Sequence, residues 1–285
     1  MAVDIQSGPR NPAAATREEI PMQFKHVTLD FDGPVAILKL DHPEVMNAVS
    51  MDMLGGLGEA LDAIDDRKAE VRCLVITGAG RAFCTGANLQ GRGNVKPGGR
   101  SNAGAALETA YHPFLRRLRN LHCPIVTSVN GPAAGAGMSI ALMGDMILCA
   151  RSSYFLQAFR RIGLVPDCGS TWLLPRLIGK ARSVELSLMG ERLPADKALE
   201  WGLVNRVHDD AVLMDETMKL AHDLANGPTV ALSLIRKLYW ESPGNSFEEQ
   251  LDLEQRLQRE AGSAEDFKEG VTAFLEKRPP KFKGE

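Results

Sequence analysis

Residues 130–142 read NGPAAGAGMSIAL and follow a β-rich run from Pro124 to Val129. A strand that ends in a turn of glycines and alanines and re-enters an apolar helix, here to about Met143, is the unit that decides the fold. The same unit stands on either side. Upstream, Val71 to Thr77 is a short buried strand closed by Gly78-Ala79-Gly80, and residues near 106–120 read as a helix. Downstream, Met146 to Ala150 and Tyr154 to Gln157 are strand-like and run into the turn GLVPDCGST at 163–171. Strand, glycine-rich turn and helix thus recur about three times, with spacing too irregular for a sequence repeat. Such alternation predicts an α/β core.

Toward the N-terminus, His26 to Leu40 alternates around Asp32-Gly33, which predicts a hairpin. Ser50 suits the N-cap of a helix to about Asp65, although Gly55, Gly56 and Gly58 weaken it. After about Pro194 the pattern is helical: Pro194 to Trp201, stopped by Gly202, then Pro228 to Trp240. Ser246 and Glu249 have capping-box spacing and open a third helix to about Ala261. A fourth runs from Ser263 to Lys277 and ends before Pro279-Pro280. Nothing between Val27 and Arg278 has the composition of a linker. The expected organisation is a polar, disordered arm over 1–21, a core over 22–200 and a helical region over 201–285. The last is either a layer on the core or a small domain of its own. The glycine- and arginine-rich stretch from Gly86 to Ala105 has no period and reads as a mobile loop.

The chain has 285 residues, 44% of them hydrophobic, enough to bury a core without disulfide or metal staples. Lys and Arg number 33 against 36 Asp and Glu, a net charge of −3. With a pI near 6.1, this excludes a general phosphate-backbone binder, so no nucleic-acid partner is expected. The most apolar stretch, Pro132 to Ala150, is broken by glycines and Asp145, and no membrane span is expected. The N-terminus lacks a basic-then-apolar signal, which makes a cytoplasmic location the default. Five cysteines without C-x-x-C spacing argue against a disulfide framework or zinc site, and His26, His42, His122, His208 and His222 show no ligand spacing. No metal site is expected.

Backbone N–H groups at a strand-to-helix turn can converge on an anion. The dinucleotide fingerprint fails, however: Gly135–Ile140 and Gly78–Phe83 both lack its third glycine, and neither carries the Walker lysine and hydroxyl. Tight turns with close helix packing account for each glycine taken alone.

Taken together, HPEVMNAVS (42–50), GAGRAFCTGANL (78–89), NGPAAGAGMSIAL (130–142), GLVPDCGSTWLLPRLIG (163–179), EWGLVNRV (200–207) and GVTAFLEKRPPKFKG (270–284) stand in order. This set, spanning about 24–284, resembles the crotonase, or enoyl-CoA hydratase/isomerase, superfamily. It is most similar to the phenylacetate-pathway isomerases, which carry a like LVPDCG-TWLLPR block. The resemblance implies a crotonase-like spiral of ββα units with a helical C-terminal layer. It further implies homotrimers, often paired into hexamers, and acyl-CoA thioester substrates with no cofactor beyond the coenzyme A of the substrate. It places the two N–H donors of an enolate oxyanion hole on Ala87 and Ala136. Coenzyme A is expected near Val45, Met46, Ala87, Asn88 and Leu89, with Phe274 and Lys277 near the adenine and phosphates. Asn88 replaces a commoner Asp and is expected only to keep a turn hydrogen bond.

Where hydratases hold water with two glutamates, this chain has Ser139 and Phe159. A hydroxyl can orient water but is no base near neutral pH, and a phenyl ring does neither. Asp167 stands where hydratases carry glycine. One carboxylate suffices for a 1,3-proton shift, so isomerisation of a 3-enoyl-CoA, or of a ring-derived CoA ester such as a ring epoxide, fits better than hydration. An apolar wall of Phe159, Leu164, Val165 and Trp172 would raise the Asp167 pKa above ~3.9. The alternative for Asp167 is a cap on the following helix. Tyr111 and His112 precede the second glycine turn, within possible reach of the acyl pocket. The rival functions are enoyl-CoA hydratase and a non-catalytic acyl-CoA binder.

Overall fold

The computed structural model describes residues 20–89, 102 and 104–285; most of the expected N-terminal arm, and the loop over 91–100, lie outside them. Strands β1 (Met22–Phe24), β2 (Val27–Asp32) and β3 (Val35–Leu40) form an antiparallel meander, with Gly33 at φ 57° in the Asp32-Gly33 turn. Helix α1 (Met51–Asp66) follows. Ser50 caps it by accepting the Met53 N–H at 3.1 Å. Its buried face is Met53, Leu54, Leu57, Ala60, Leu61 and Ile64, a helical stripe that seals one side of the sheet.

The chain then repeats one circuit. β4 (Cys73–Gly78) leads through a short bridged segment to a π turn (Leu107–Tyr111) and α2 (His112–Arg119). β5 (Ile125–Val129), β6 (Ala133–Ala134) and α3 (Ala136–Ala141) make the next circuit. β7 (Met146–Ala150) and β8 (Tyr154–Leu156) are followed by α4 (Ser170–Ile178) and α5 (Lys180–Met189). The last circuit is β9 (Arg192–Pro194), α6 (Ala195–Trp201) and β10 (Arg206–His208). Strands β3, β4, β5, β7 and β10 pair in parallel, completing a seven-stranded sheet. β4 and β5 are buried along their whole length, as parallel strands covered on both faces must be. The second segments of the circuits line up as well. Val49 bridges Ala87, Cys84 bridges Ala133, β6 pairs with β8, and β8 with β9. The result is a spiral of ββα turns with one long and one short strand per turn.

Helix α7 (Leu213–Ala225) covers the far face of the long sheet, where Leu213, Ala221 and Ala225 pack with Val35, Val75, Val126 and Leu148. The sheet and its cover therefore continue past residue 200. Helices α8 (Thr229–Glu241), α9 (Phe247–Gly262) and α10 (Glu265–Glu276) follow, with the capping box of Ser246 and Glu249 formed at the start of α9. An ion pair of a buried arginine with a partly exposed aspartate joins α8 to the core. Arg236 Nε meets Asp145 Oδ2 at 2.5 Å, and its other nitrogens donate to the Leu121 and Leu118 carbonyls at 2.5 and 3.1 Å. Asp145 Oδ2 also accepts the Ile125 N–H at 2.7 Å. Burial pushes the Asp145 carboxyl up, while Arg236 and that N–H pull against it.

Helical structure begins earlier than the expected Pro194. α4 and α5 already fill 170–189, and α7 lies within the expected helical region although its bounds were not read there. Pro175 inside α4 interrupts its apolar pattern. The buried stripe of α7 is Leu213, Thr217, Ala221 and Ala225, at four-residue spacing but mostly small, so it carries little hydrophobic signal. No helix among the described residues is long and apolar enough to cross a membrane.

Candidate active site

A cavity of about 260 Å³ opens past the C-terminal ends of β4 and β5. Its walls come from successive turns of the spiral: Thr85, Gly86, Ala87 and Leu89; Leu107 and Tyr111; Gly135 and Ala136; and Phe159, Ile162, Leu164 and Asp167.

Ala87 and Ala136 meet here because backbone lies directly on backbone. Val49 N–H donates to the Gly86 carbonyl at 2.7 Å, and Asn88 N–H to the Val49 carbonyl at 2.8 Å. In a parallel bridge of this kind the N–H of the middle residue, Ala87, points away from the Val49 segment. It faces the side on which Gly86 approaches α3. A Cβ on Gly86 (φ 97°) would stand 2.9 Å from the Ala134 oxygen and 3.6 Å from the Ala136 nitrogen. One on Gly137 would stand 2.2 Å from the Cys84 oxygen, an impossible contact. Only glycine lets α3 seat this closely. The Ala136 N–H is the first of α3, a position with no acceptor inside the helix.

Asp167 lies across the cavity, half-buried beside Phe159 and Leu164. Its main-chain carbonyl accepts Ser139 Oγ at 3.2 Å, Ser170 Oγ at 2.9 Å and the Ser170 N–H at 3.1 Å. Its carboxyl does not cap α4; Gly169 occupies the N-cap and no side chain caps it. The Cys168 thiol hydrogen-bonds the Asp167 carboxylate and is pushed up, first by burial and then by that charge. The apolar wall differs from expectation. Val165 is 78% exposed, and Trp172 leaves the cavity to stack on Trp240 at 5.3 Å under the Arg176 guanidinium. Phe159 and Leu164 remain, joined by Leu107, Ile162 and Tyr111.

Ser139 is fully buried with its hydroxyl turned to the Asp167 carbonyl, and Phe159 fills the second glutamate position as cavity wall. Tyr111, just before α2, reaches the wall and is 2% exposed, whereas His112, the first residue of α2, does not line it. Arg161, which nothing in AFRRIG distinguishes from Arg160, also lines the cavity and donates through Nε and Nη2 to the Gly190 carbonyl. The π turn that carries Tyr111 and Leu107 into the wall left no mark in the sequence beyond a helical pattern.

Val45 and Met46 do not line the cavity; Met46 adjoins it through Thr85. Pro43–Val45 is a 3-10 turn, and Met46 and Asn47 follow in left-handed conformation. The Met46 carbonyl takes both the N–H and the hydroxyl of Thr85 at 3.2 Å. Buried Asn47 donates to the Ala79, Ala82 and Phe83 carbonyls. Asn88 and Leu89 continue from Ala87, and Leu89 lines the cavity. Phe274 and Lys277 are not brought to this cavity within one chain. Phe274 is 82% exposed on α10, which Asp266 ties to the tail at Lys283 and Gly284. That tail meets Arg72 at the N-terminal end of β4, opposite the cavity end. No group of acidic, histidine or cysteine side chains among the described residues could hold a metal ion.

The comparisons accord with the spiral of ββα turns and the cavity between them. The family model of enoyl-CoA hydratase/isomerase matches residues 30–285, and the chain belongs to that family. It is 46% identical over 251 residues, 88% of this chain and 95% of the relative, to 1,2-epoxyphenylacetyl-CoA isomerase of Escherichia coli (strain K12). It is 34% identical over 265 residues to the trans-2-decenoyl-acyl-carrier-protein isomerase of Streptococcus mutans, covering 92% of this chain and all of the relative. A crystal structure of an enoyl-CoA hydratase from Polaromonas sp. JS666 superposes with a TM-score of 0.83 at 32% identity, over 90% of this chain and 99% of that one.

Proposed function

We propose that this enzyme is an isomerase that moves the double bond of a 3-enoyl-CoA to the 2,3 position. The N–H groups of Ala87 and Ala136 hold the thioester enolate oxygen, and Asp167 carries the proton. The supporting observation is that Asp167 is the one acidic residue among the described residues lining the cavity. Asp167 takes a proton from C2, and the electron pair spreads over a dienolate whose oxygen meets the two donors. The same proton is returned to C4. Each oxyanion donor is worth ~3 kcal/mol in the transition state, because it is already aimed where charge develops. Hydration would need a water both held and split, and Ser139 and Phe159 supply no carboxylate for it.

The aromatic wall of Tyr111 and Phe159 and the likeness to the epoxyphenylacetyl-CoA isomerase favour a ring-derived CoA ester as the natural substrate. Coenzyme A lies along Val45, Met46, Asn88 and Leu89. Homotrimers or hexamers in the cytoplasm complete the proposal, and light scattering after size exclusion tests the assembly. Hydratase activity is the second reading, carried by likeness to solved hydratases. A paired ultraviolet assay separates the two. Gain of conjugation from a 3-enoyl-CoA, lost in Asp167→Asn, is the expected result. Faster loss of conjugation from a 2-enoyl-CoA by hydration would overturn it. Binding of CoA esters without turnover would leave a non-catalytic binder.

A further inference from the structure

Three donors converge on one backbone oxygen, that of Asp167: Ser139 Oγ, Ser170 Oγ and the Ser170 N–H, at 3.2, 2.9 and 3.1 Å. A carbonyl has two lone pairs, so this oxygen is over-determined. The next two residues are both left-handed, Cys168 at φ 53° and Gly169 at φ 81°. For Cys168 that conformation is strained and persists only where its surroundings impose it. Ser139 belongs to a different turn of the spiral, 28 residues away. Its neighbours Met138, Ile140 and Ala141 are apolar and buried, and an alanine would pack there equally well. The hydroxyl also lies 3.4 Å from the Gly135 carbonyl one turn back, but the Asp167 oxygen is the nearer acceptor.

We propose that Ser139 is a positioning residue: with Ser170 it clamps the Asp167 carbonyl and so fixes the Asp167 carboxyl relative to the Ala136 N–H. This rests on the function proposed above. Ala136 and Ser139 stand three residues apart on α3, neighbours on the helix surface. One short helix therefore presents the anion donor and holds the proton carrier, so the two halves of the site move as one body. The clamp also engages the only proton of the hydroxyl that stands where hydratases place a water-holding carboxylate.

The test is Ser139→Ala beside Ser139→Thr and Asp167→Asn, each read by kcat, KM and Tm. A misplaced reacting group costs up to ~100-fold. Ser139→Ala is expected to lower kcat about ten- to a hundred-fold, with KM within about two-fold. Ser139→Thr, which restores the hydroxyl, recovers most of kcat. An unchanged kcat in Ser139→Ala, with Asp167→Asn inactive, overturns the clamp and leaves the proposed function standing. A fully active Asp167→Asn overturns both. A kcat loss that follows Tm and is not recovered by Ser139→Thr makes Ser139 a packing residue and also overturns the clamp. Should Ser139→Ala fail to fold, Ser139→Cys keeps the volume with a weaker donor and is judged by the same outcomes.

Discussion

Asp145 and Asp167 each stand where one turn of the spiral passes to the next, and their hydrogen bonds are arranged in opposite ways. The Asp145 carboxylate is tied to Arg236 and to the Ile125 N–H, and it joins α8 to the core. At Asp167 the main-chain carbonyl takes the donors, and the carboxyl is left to the cavity wall and the Cys168 thiol. A structural acid has its side chain held. At Asp167, the proton carrier proposed above, it is the backbone that is held.

The largest expected effect exploits that contrast. Asp167→Asn should lower kcat by about 10²–10⁴, the usual worth of a general acid–base group, with Tm within a few degrees of wild type. Comparable loss of stability and activity would put Asp167 in the same class as Asp145. Conversely, Arg236→Ala removes the buried guanidinium that holds Asp145 and the Leu118 and Leu121 carbonyls and should cost about 1–3 kcal/mol in urea unfolding. Turnover per folded molecule should stay within about three-fold; a kcat collapse in a stable protein would break the division of roles.

A smaller effect should fall on both sides at once. Gly137→Ala pushes a methyl into the Cys84 carbonyl, where α3 seats on the strand bearing Ala87. About 1–3 kcal/mol of stability should be lost, as for other overpacked sites. A fall in kcat beyond the unfolded fraction would show that the donor spacing has changed.

The smallest effect lies far from the cavity. Glu269 is held at about 2 by Arg278 and the Lys281 N–H. A depressed carboxylate stabilises above its unfolded value and ceases to do so as pH falls through its folded one. Between about pH 4.5 and about pH 2 the tail over 277–285 should therefore lose amide protection, while Glu269→Gln should show the weaker protection already at pH 7. Identical exchange in the two proteins at pH 7 would remove Glu269 from the clasp.

Much of the scaffold was legible because its signals are local. The Asp32-Gly33 turn, the Ser50 cap, the Gly202 stop and the Ser246–Glu249 box each lie within a few residues of what they specify. The assignments of Ala87, Ala136 and Asp167 came through the resemblance alone, since no local rule points to them; the structure brings all three to one cavity. What escaped was set by tertiary contact. Trp172 could serve the Asp167 cavity or the α8 side equally well until Trp240 was placed beside it. The role of Ser139 depends on an acceptor 28 residues away. The small stripe of α7 acquires meaning only against the sheet that it covers.

The backbone seating of α3 on the Ala87 segment has one more consequence. Cys84, three residues before Ala87, bridges Ala133, three residues before Ala136, so main chain sets how closely the two segments approach. That approach rests on Gly86 and Gly137, where a Cβ would collide with main-chain oxygens of the facing segment. Substitutions elsewhere in the cavity wall can redraw the pocket while this main-chain contact stays in place.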